Sequence, residues 1–193
     1  AIVERSTELA APAEAVWRAV KTPSAFRTVT RGILTMPVIK HRDDGWRDGE
    51  TVQGWVFLFG CIPFSRHTLR LSRIDDSGMT LSSRESGGLL RRWNHDIVVR
   101  PINNAWCNYT DRIDIDAGIF TPVVAGYARW FYKMRQRRWR ELAKELAREV
   151  PFFGLNPRSV TGDPRFPGGV GKTWEPGAFE ELLGDVSSQL FGI

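Results

Sequence analysis

Between Thr51 and Asp116 the chain repeats one pattern, a run of alternating apolar and polar residues closed by a turn signal. The runs are Thr51–Phe59, Ser65–Ile74, Met79–Glu85, Leu90–Arg100 and Cys107–Asp116. Asp75-Asp-Ser-Gly78, Gly87-Gly88 and Pro101-Ile-Asn-Asn104 punctuate them. A period of two places every second side chain on one face of a strand. Short connections between such runs leave room for hairpins only, so the sheet they form is antiparallel. The faces read as Trp55, Phe57 and Phe59; His67, Leu69 and Leu71; Trp93, His95, Ile97 and Val99; and Cys107, Tyr109, Asp111, Ile113 and Ile115.

The flanks complete the architecture. Residues 1–9 alternate and predict a first strand. Pro12 opens a helix with Val16, Trp17 and Val20 on its apolar side, and Pro23 opens a second, short helix through Phe26. Gly32 to Lys40 reads as a strand, followed by a turn over residues 41–45. Thr121-Pro122 starts a long helix that runs to about Arg148, ahead of Pro151. At 100° per residue its apolar stripe is Phe120, Val124, Tyr127, Phe131, Met134 and Leu142. The predicted fold class is α+β, a curved antiparallel sheet of about seven strands around a long C-terminal helix, with two short helices between the first two strands. This domain spans 1–150. Residues 151–193 hold 13 Gly and Pro among 43 and no sustained period, which reads as a C-terminal extension of low order.

Composition bounds the function. The chain has 193 residues, 42% of them hydrophobic, with 27 Lys and Arg against 22 Asp and Glu. That is a globular composition, not a disordered one. Twenty-two of the 27 cations are Arg, and the pI of about 9.6 admits an anionic partner without requiring one. On the long helix Lys133, Arg137 and Arg140 gather on the polar side, which reads first as a solvated face. No nucleic-acid partner is expected, and peripheral contact with an anionic membrane stays open. No run approaches the ~20 apolar residues of a membrane-spanning helix, and no apolar leader core is visible at the start. Cys61 and Cys107, without a CxxC pair, read as buried free thiols and point to a cytoplasmic location. Gly168-Gly-Val-Gly-Lys-Thr173 imitates a phosphate-binding loop, but Phe166 stands where its first glycine belongs and no apolar strand precedes it.

The segments Leu9-Ala-Ala-Pro-Ala-Glu-Ala-Val-Trp17, Trp93-Asn-His-Asp-Ile-Val-Val99, Tyr109 to Gly118, Thr121-Pro122 and Phe131 to Arg140 carry a resemblance. Together with the element order, they are similar to the START-like SRPBCC superfamily of ligand-binding proteins and polyketide cyclases. The resemblance covers roughly 1–150 and implies a helix-grip fold with an internal cavity. Superfamily members with Rieske-type oxygenase activity carry a helical motif of two His and a carboxylate; the spacing of His41, His67 and His95 does not supply it.

Hairpin register gathers the candidate site. Turns centred near Asp76, Gly88 and Asn103 set His67 against Glu85, Leu81 against His95, and His95 against Asp111. The concave face would then hold His67, Glu85, His95 and Asp111 among aromatic residues. The ligand-binding set is Trp55, Phe57, Phe59, His67, Glu85, Trp93, His95, Tyr109, Asp111, Tyr127, Phe131 and Arg138. Arg138 falls within the apolar stripe and needs a partner, Asp111 or Glu85, or else a ligand carboxylate. A metal site from His67, Glu85 and His95 is the lesser alternative for this register, and no cofactor or metal is expected.

Three readings follow. The first is a binding module whose cavity takes a hydrophobic or aromatic small molecule, such as a lipid or polyketide. The second is a cyclase or dehydratase-type enzyme using His95 with Asp111 as base and Tyr109 as a hydrogen-bond donor. The third is an interaction protein with a filled cavity. A purely structural His–Asp pair competes with all catalytic readings.

Overall fold

The computed structural model describes residues 1–149; the expectation for 151–193 lies outside the described residues. Strand β1 (Ile2–Leu9) leads into helices α1 (Ala13–Val20) and α2 (Pro23–Thr30). The short strand β2 (Leu34–Thr35) and a 3-10 turn (Pro37–Ile39) follow. Then come β3 (Thr51–Leu58), β4 (Ile62–Asp75), β5 (Thr80–Gly87), β6 (Leu90–Asn103) and β7 (Trp106–Asp116). A second 3-10 turn (Gly118–Phe120) precedes helix α3 (Thr121–Glu149). The strands form one antiparallel sheet in the order β1-β7-β6-β5-β4-β3-β2. This is the expected helix-grip arrangement.

Local chemistry sets the boundaries. The Thr22 hydroxyl caps α2 by accepting from the Ala25 N–H at 3.1 Å, with Pro23 at the first helical position. Thr121 ties the second 3-10 turn to α3: its Oγ1 accepts from the Ala117 N–H and donates to the Gly118 carbonyl. The strand expected over 32–40 shrinks to Leu34–Thr35 because Pro37 takes the chain into the 3-10 turn. Strand β3 ends at Leu58, where Phe59 and Gly60 adopt positive φ. Cys61 therefore lies exposed in the turn, correcting its expected burial; Cys107 is buried in β7.

Strand register differs from expectation by two residues. On β6 and β7, Val99 pairs with Tyr109, Ile97 with Asp111 and His95 with Ile113. Ser83 pairs with His95, and Leu69 with Glu85. The turns centre later than the sequence marks, with Asp75 paired to Thr80, Gly87 to Leu90 and Asn103 to Trp106. One-residue register shifts beside Leu71, Glu85 and Pro101 then bring each pairing to its final offset. A two-residue slip keeps every side chain on its face, whereas a one-residue slip would have inverted the site. Trp93, His95, Ile97 and Val99 are all buried, as are Cys107, Tyr109, Asp111, Ile113 and Ile115.

Strand β3 departs from its expected face. Its inner residues are Val52 and Val56, while Trp55 is 54% and Phe59 53% exposed. Gly54 fixes this phase. A Cβ on Gly54 would come within 2.7 Å of Val38 Cγ1, so the even-numbered positions are the packed ones.

Helix α3 buries a stripe rotated by about one residue from the expected one. Ala125, Ala128, Phe131, Tyr132, Arg135, Gln136, Trp139, Leu142, Ala143 and Leu146 are buried. Phe120 lies in the 3-10 turn ahead of the helix, and Val124, Tyr127 and Met134 flank the stripe. The core at this end joins Val3, Trp93, Ile113, Ile115, Phe131 and Tyr132.

Candidate functional site: an apolar cavity with one polar cluster

The sheet and α3 enclose a cavity of about 300 Å³. Val56, Leu58, Leu69, Trp93, Val124 and Phe131 supply apolar wall, and α2 and β2 add Phe26 and Leu34. Besides the phenols of Tyr127 and Tyr132, four polar side chains interrupt that wall: His67 from β4, Glu85 from β5, His95 from β6 and Arg135 from α3. A smaller void of about 40 Å³ shares Glu85, His95 and Arg135 with it.

The expected acid–imidazole pairs form, although through diagonal rather than directly opposite positions. His67 Nε2 donates to Glu85 Oε2 at 3.0 Å, and the Ser83 hydroxyl donates to Glu85 Oε1 at 2.6 Å. His95 Nε2 donates to Asp111 Oδ1 at 2.8 Å. Diagonal neighbours across an antiparallel pair lie within reach of long side chains.

Asp111 is fully buried and collects further donors. The Tyr109 hydroxyl donates to its Oδ1 at 2.9 Å, and Gln136 Nε2 approaches Oδ2 at 3.4 Å. Arg135 Nη2 donates to the Tyr109 hydroxyl at 3.2 Å, and Arg135 Nε lies 3.9 Å from Asp111 Oδ1. Tyr132 closes the cluster from above. It packs edge-on against His95 with ring centroids 5.1 Å apart, and the Arg135 guanidinium lies 5.6 Å from its ring centre.

Charge follows from these contacts. Burial pushes the Asp111 carboxyl up, but the Arg135 charge and the His95 hydrogen bond outweigh it and hold the group below the ordinary Asp range. Burial likewise opposes ionisation of Glu85, and the His67 hydrogen bond, with the electrostatic influence of His67 and His95, turns the balance downward. Burial opposes the Arg135 cation, while Tyr109 and Asp111 more than compensate and raise it. Burial lifts the Tyr109 and Tyr132 phenols well above their usual value and Tyr127 to about 12. All three phenols are therefore neutral near pH 7.

These directions fix an acid response. Native-state pKa values below the ordinary 4.5 of Glu and 3.8 of Asp mean that the unfolded chain takes up protons first. Stability from Glu85 and Asp111 is complete above pH ~5 and falls as pH drops through the unfolded and then the native values. The slope is about 1.4 kcal/mol per pH unit for each proton taken up. Urea unfolding at stepped pH checks this, and Glu85→Gln is expected to flatten the slope.

Six members of the expected ligand-binding set line the cavity: His67, Glu85, Trp93, His95, Tyr127 and Phe131. Trp55, Phe57, Phe59, Tyr109, Asp111 and Arg138 lie off its wall. The first three follow the phase of β3, which places Val56 and Leu58 inward. Tyr109 and Asp111 sit behind His95 and hold it. Arg138 donates from Nη1 to the Val29 carbonyl at 3.2 Å instead of meeting Asp111 or Glu85. The inward guanidinium is that of Arg135, which counting apolar residues alone passes over. Its signal lies in its neighbours: Tyr132 precedes it by three residues and Trp139 follows by four, both buried. The Tyr127 hydroxyl and Arg135 Nε are buried without a hydrogen-bond partner among the described residues.

Among known proteins, a family model described as a domain of unknown function, DUF8410, matches residues 7–144. No curated protein matches the chain in sequence. Solved structures agree in fold. A protein from Thermus thermophilus is similar with a TM-score of 0.58 and 13% identity, over 75% of this chain and 98% of that one. A START superfamily protein from Mycobacterium smegmatis gives 0.55 and 12%, over 75% and 98%. Norcoclaurine synthase from Thalictrum flavum, in complex with dopamine and hydroxybenzaldehyde, gives 0.56 and 12%, over 75% and 87%. These neighbours share the helix-grip fold of this chain, the fold that the sequence resemblance implied. At such identities they show the fold alone.

Proposed function

The chain belongs to the DUF8410 family, and from that premise and the geometry of its interior we propose that it binds an apolar small molecule in the cavity. The observation that carries the reading is a void of about 300 Å³ whose apolar wall is broken by one polar cluster. That volume lies in the range of small-molecule sites, which pair apolar lining with a few oriented polar groups. The ligand is of lipid or polyketide type, with an apolar body against Val56, Leu69, Trp93 and Phe131. Its polar group meets His67, Glu85, His95 and Arg135. The void supports this reading over that of an interaction protein with a filled interior.

One observation favours a second reading, proton transfer of the cyclase or dehydratase type. His95 lines the cavity while Asp111, off the wall, occupies its Nε2. A carboxylate behind an imidazole fixes ring orientation and supports general-base work by the other nitrogen. Tyr109, whose hydroxyl is committed to Asp111, serves that arrangement as a positioning group.

Native mass spectrometry of the gently purified full chain, followed by organic extraction, tests the first reading. A small apolar molecule is expected at one per chain, and the emptied protein is expected to take up anilinonaphthalene sulfonate. A chain that emerges empty and leaves the dye dark overturns it. If the extracted molecule is converted by the protein, and His95→Gln binds it but no longer converts it, the second reading holds.

A further inference from the structure

We propose that the mouth of the cavity docks on the surface of an anionic lipid bilayer. Three turns of chain make this mouth: the tip of the β3–β4 hairpin, the β5–β6 turn, and the 3-10 turn with the start of α3. Phe64, Leu89, Phe120 and Val123 line the cavity yet are between 40% and 73% exposed. Ile119 beside them is 87% exposed. The turns are neighbours in space. A Cβ on Gly88 would come within 2.6 Å of Ser65 Cβ, and one on Gly118 within 3.5 Å of the Arg91 guanidinium. At the edge, Trp130 meets Phe59 with ring centroids 6.4 Å apart.

Charge selects the occupant. Residues 51–74, 86–95 and 117–140 contain eleven Arg and Lys, of which Arg73, Arg92 and Arg135 face Asp75, Asp114 and Asp111. Asp116 borders the 3-10 turn near Arg91 and Arg92. Arg66, Arg91, Arg129 and Lys133 are exposed within these segments. A surround with a net basic excess, in which Arg66, Arg129 and Lys133 form no salt bridge among the described residues, attracts a negative surface. The apolar side chains protrude from turn tips around an opening, rather than lining a groove that would seat a partner's side chain. That form suits insertion to the boundary between headgroups and acyl chains. Half-exposed Trp130 between Arg129 and Lys133 matches the aromatic and basic pairing of membrane interfaces. The docking stands apart from the ligand reading; if both hold, an apolar ligand passes between bilayer and cavity without crossing water.

The test uses the full chain and sedimentation with vesicles of phosphatidylcholine alone or mixed with phosphatidylglycerol. Binding is expected to the mixed vesicles, weakening with added salt. Arg129→Ala and Lys133→Ala are each expected to cost about fivefold in partitioning. Ile119→Glu with Val123→Glu is expected to cost at least about tenfold, with Ile119→Ser and Val123→Ser as a milder pair and circular dichroism as the control for folding. The proposal is overturned if the mixed vesicles capture nothing. It is also overturned if both double variants bind as well as the parent, which would mean adsorption by charge alone. Retention on polyglutamate without vesicle binding would instead identify an acidic protein as the partner. None of these outcomes touches the native mass spectrum, so the ligand reading stands or falls separately.

Discussion

Asp111→Ala is expected to lower the unfolding free energy by about 3–5 kcal/mol, the usual cost of stripping one partner from a buried ion pair. The carboxylate is fully buried and faces donors from β6, β7 and α3. Without it, His95 and Tyr109 lose their acceptor, and the buried Arg135 cation loses its counter-charge. Each orphaned polar group then carries its own desolvation cost. Asp111→Asn keeps an acceptor for His95 and Tyr109 and is expected to cost less, but not nothing, because Arg135 remains uncompensated. Arg135→Met combined with Asp111→Ala should be destabilised by less than the sum of the two single changes. Urea titration of the four proteins measures this, and strict additivity would show that the cluster does not act as a unit.

That network also shows where sequence reading succeeds and where it stops. Alternation alone places His67, Glu85, His95 and Asp111 on the buried side, because face depends only on parity. Which residues stand opposite depends on where each turn centres and on the one-residue shifts beside Leu71, Glu85 and Pro101, and the turn residues alone leave both open by a residue or more. The acid–imidazole contacts survive because long side chains bridge a diagonal. On β3 parity itself is ambiguous: Trp55-Val-Phe-Leu-Phe59 is apolar throughout, so either face could be the inner one. The decision rests on Gly54 packing under Val38, a contact from a segment that reads as strand and folds otherwise. On α3 the buried stripe contains Arg135 and Gln136, so the most apolar stripe is not the most buried one. A polar cluster that neutralises its own charges inside the fold is invisible to apolar periodicity.

The cavity itself has a simple blocking experiment. Val124 lies on its wall, one position from the exposed Val123 of the mouth, and flanks the core of Phe131 and Tyr132. Val124→Trp places a large ring where the ligand's apolar body would lie. If the ring denies the ligand roughly 100 Å² of apolar contact, at ~25 cal/mol per Å² the loss is about 2.5 kcal/mol, near 100-fold in affinity. Stability is expected to hold or rise, since a side chain entering an existing void adds burial without displacing a packed neighbour. The pairing of the two readouts matters. Uptake of anilinonaphthalene sulfonate should collapse while the urea midpoint stays level or moves up. A void that exists only as loose packing would give the opposite pattern, with dye uptake absent in the parent and unchanged in the variant. Overpacking with loss of both uptake and stability would show that the space cannot accept a ring, and would count against a ligand of aromatic type. Vesicle binding, which depends on Ile119 and Val123 rather than on the interior, should not respond to Val124→Trp at all.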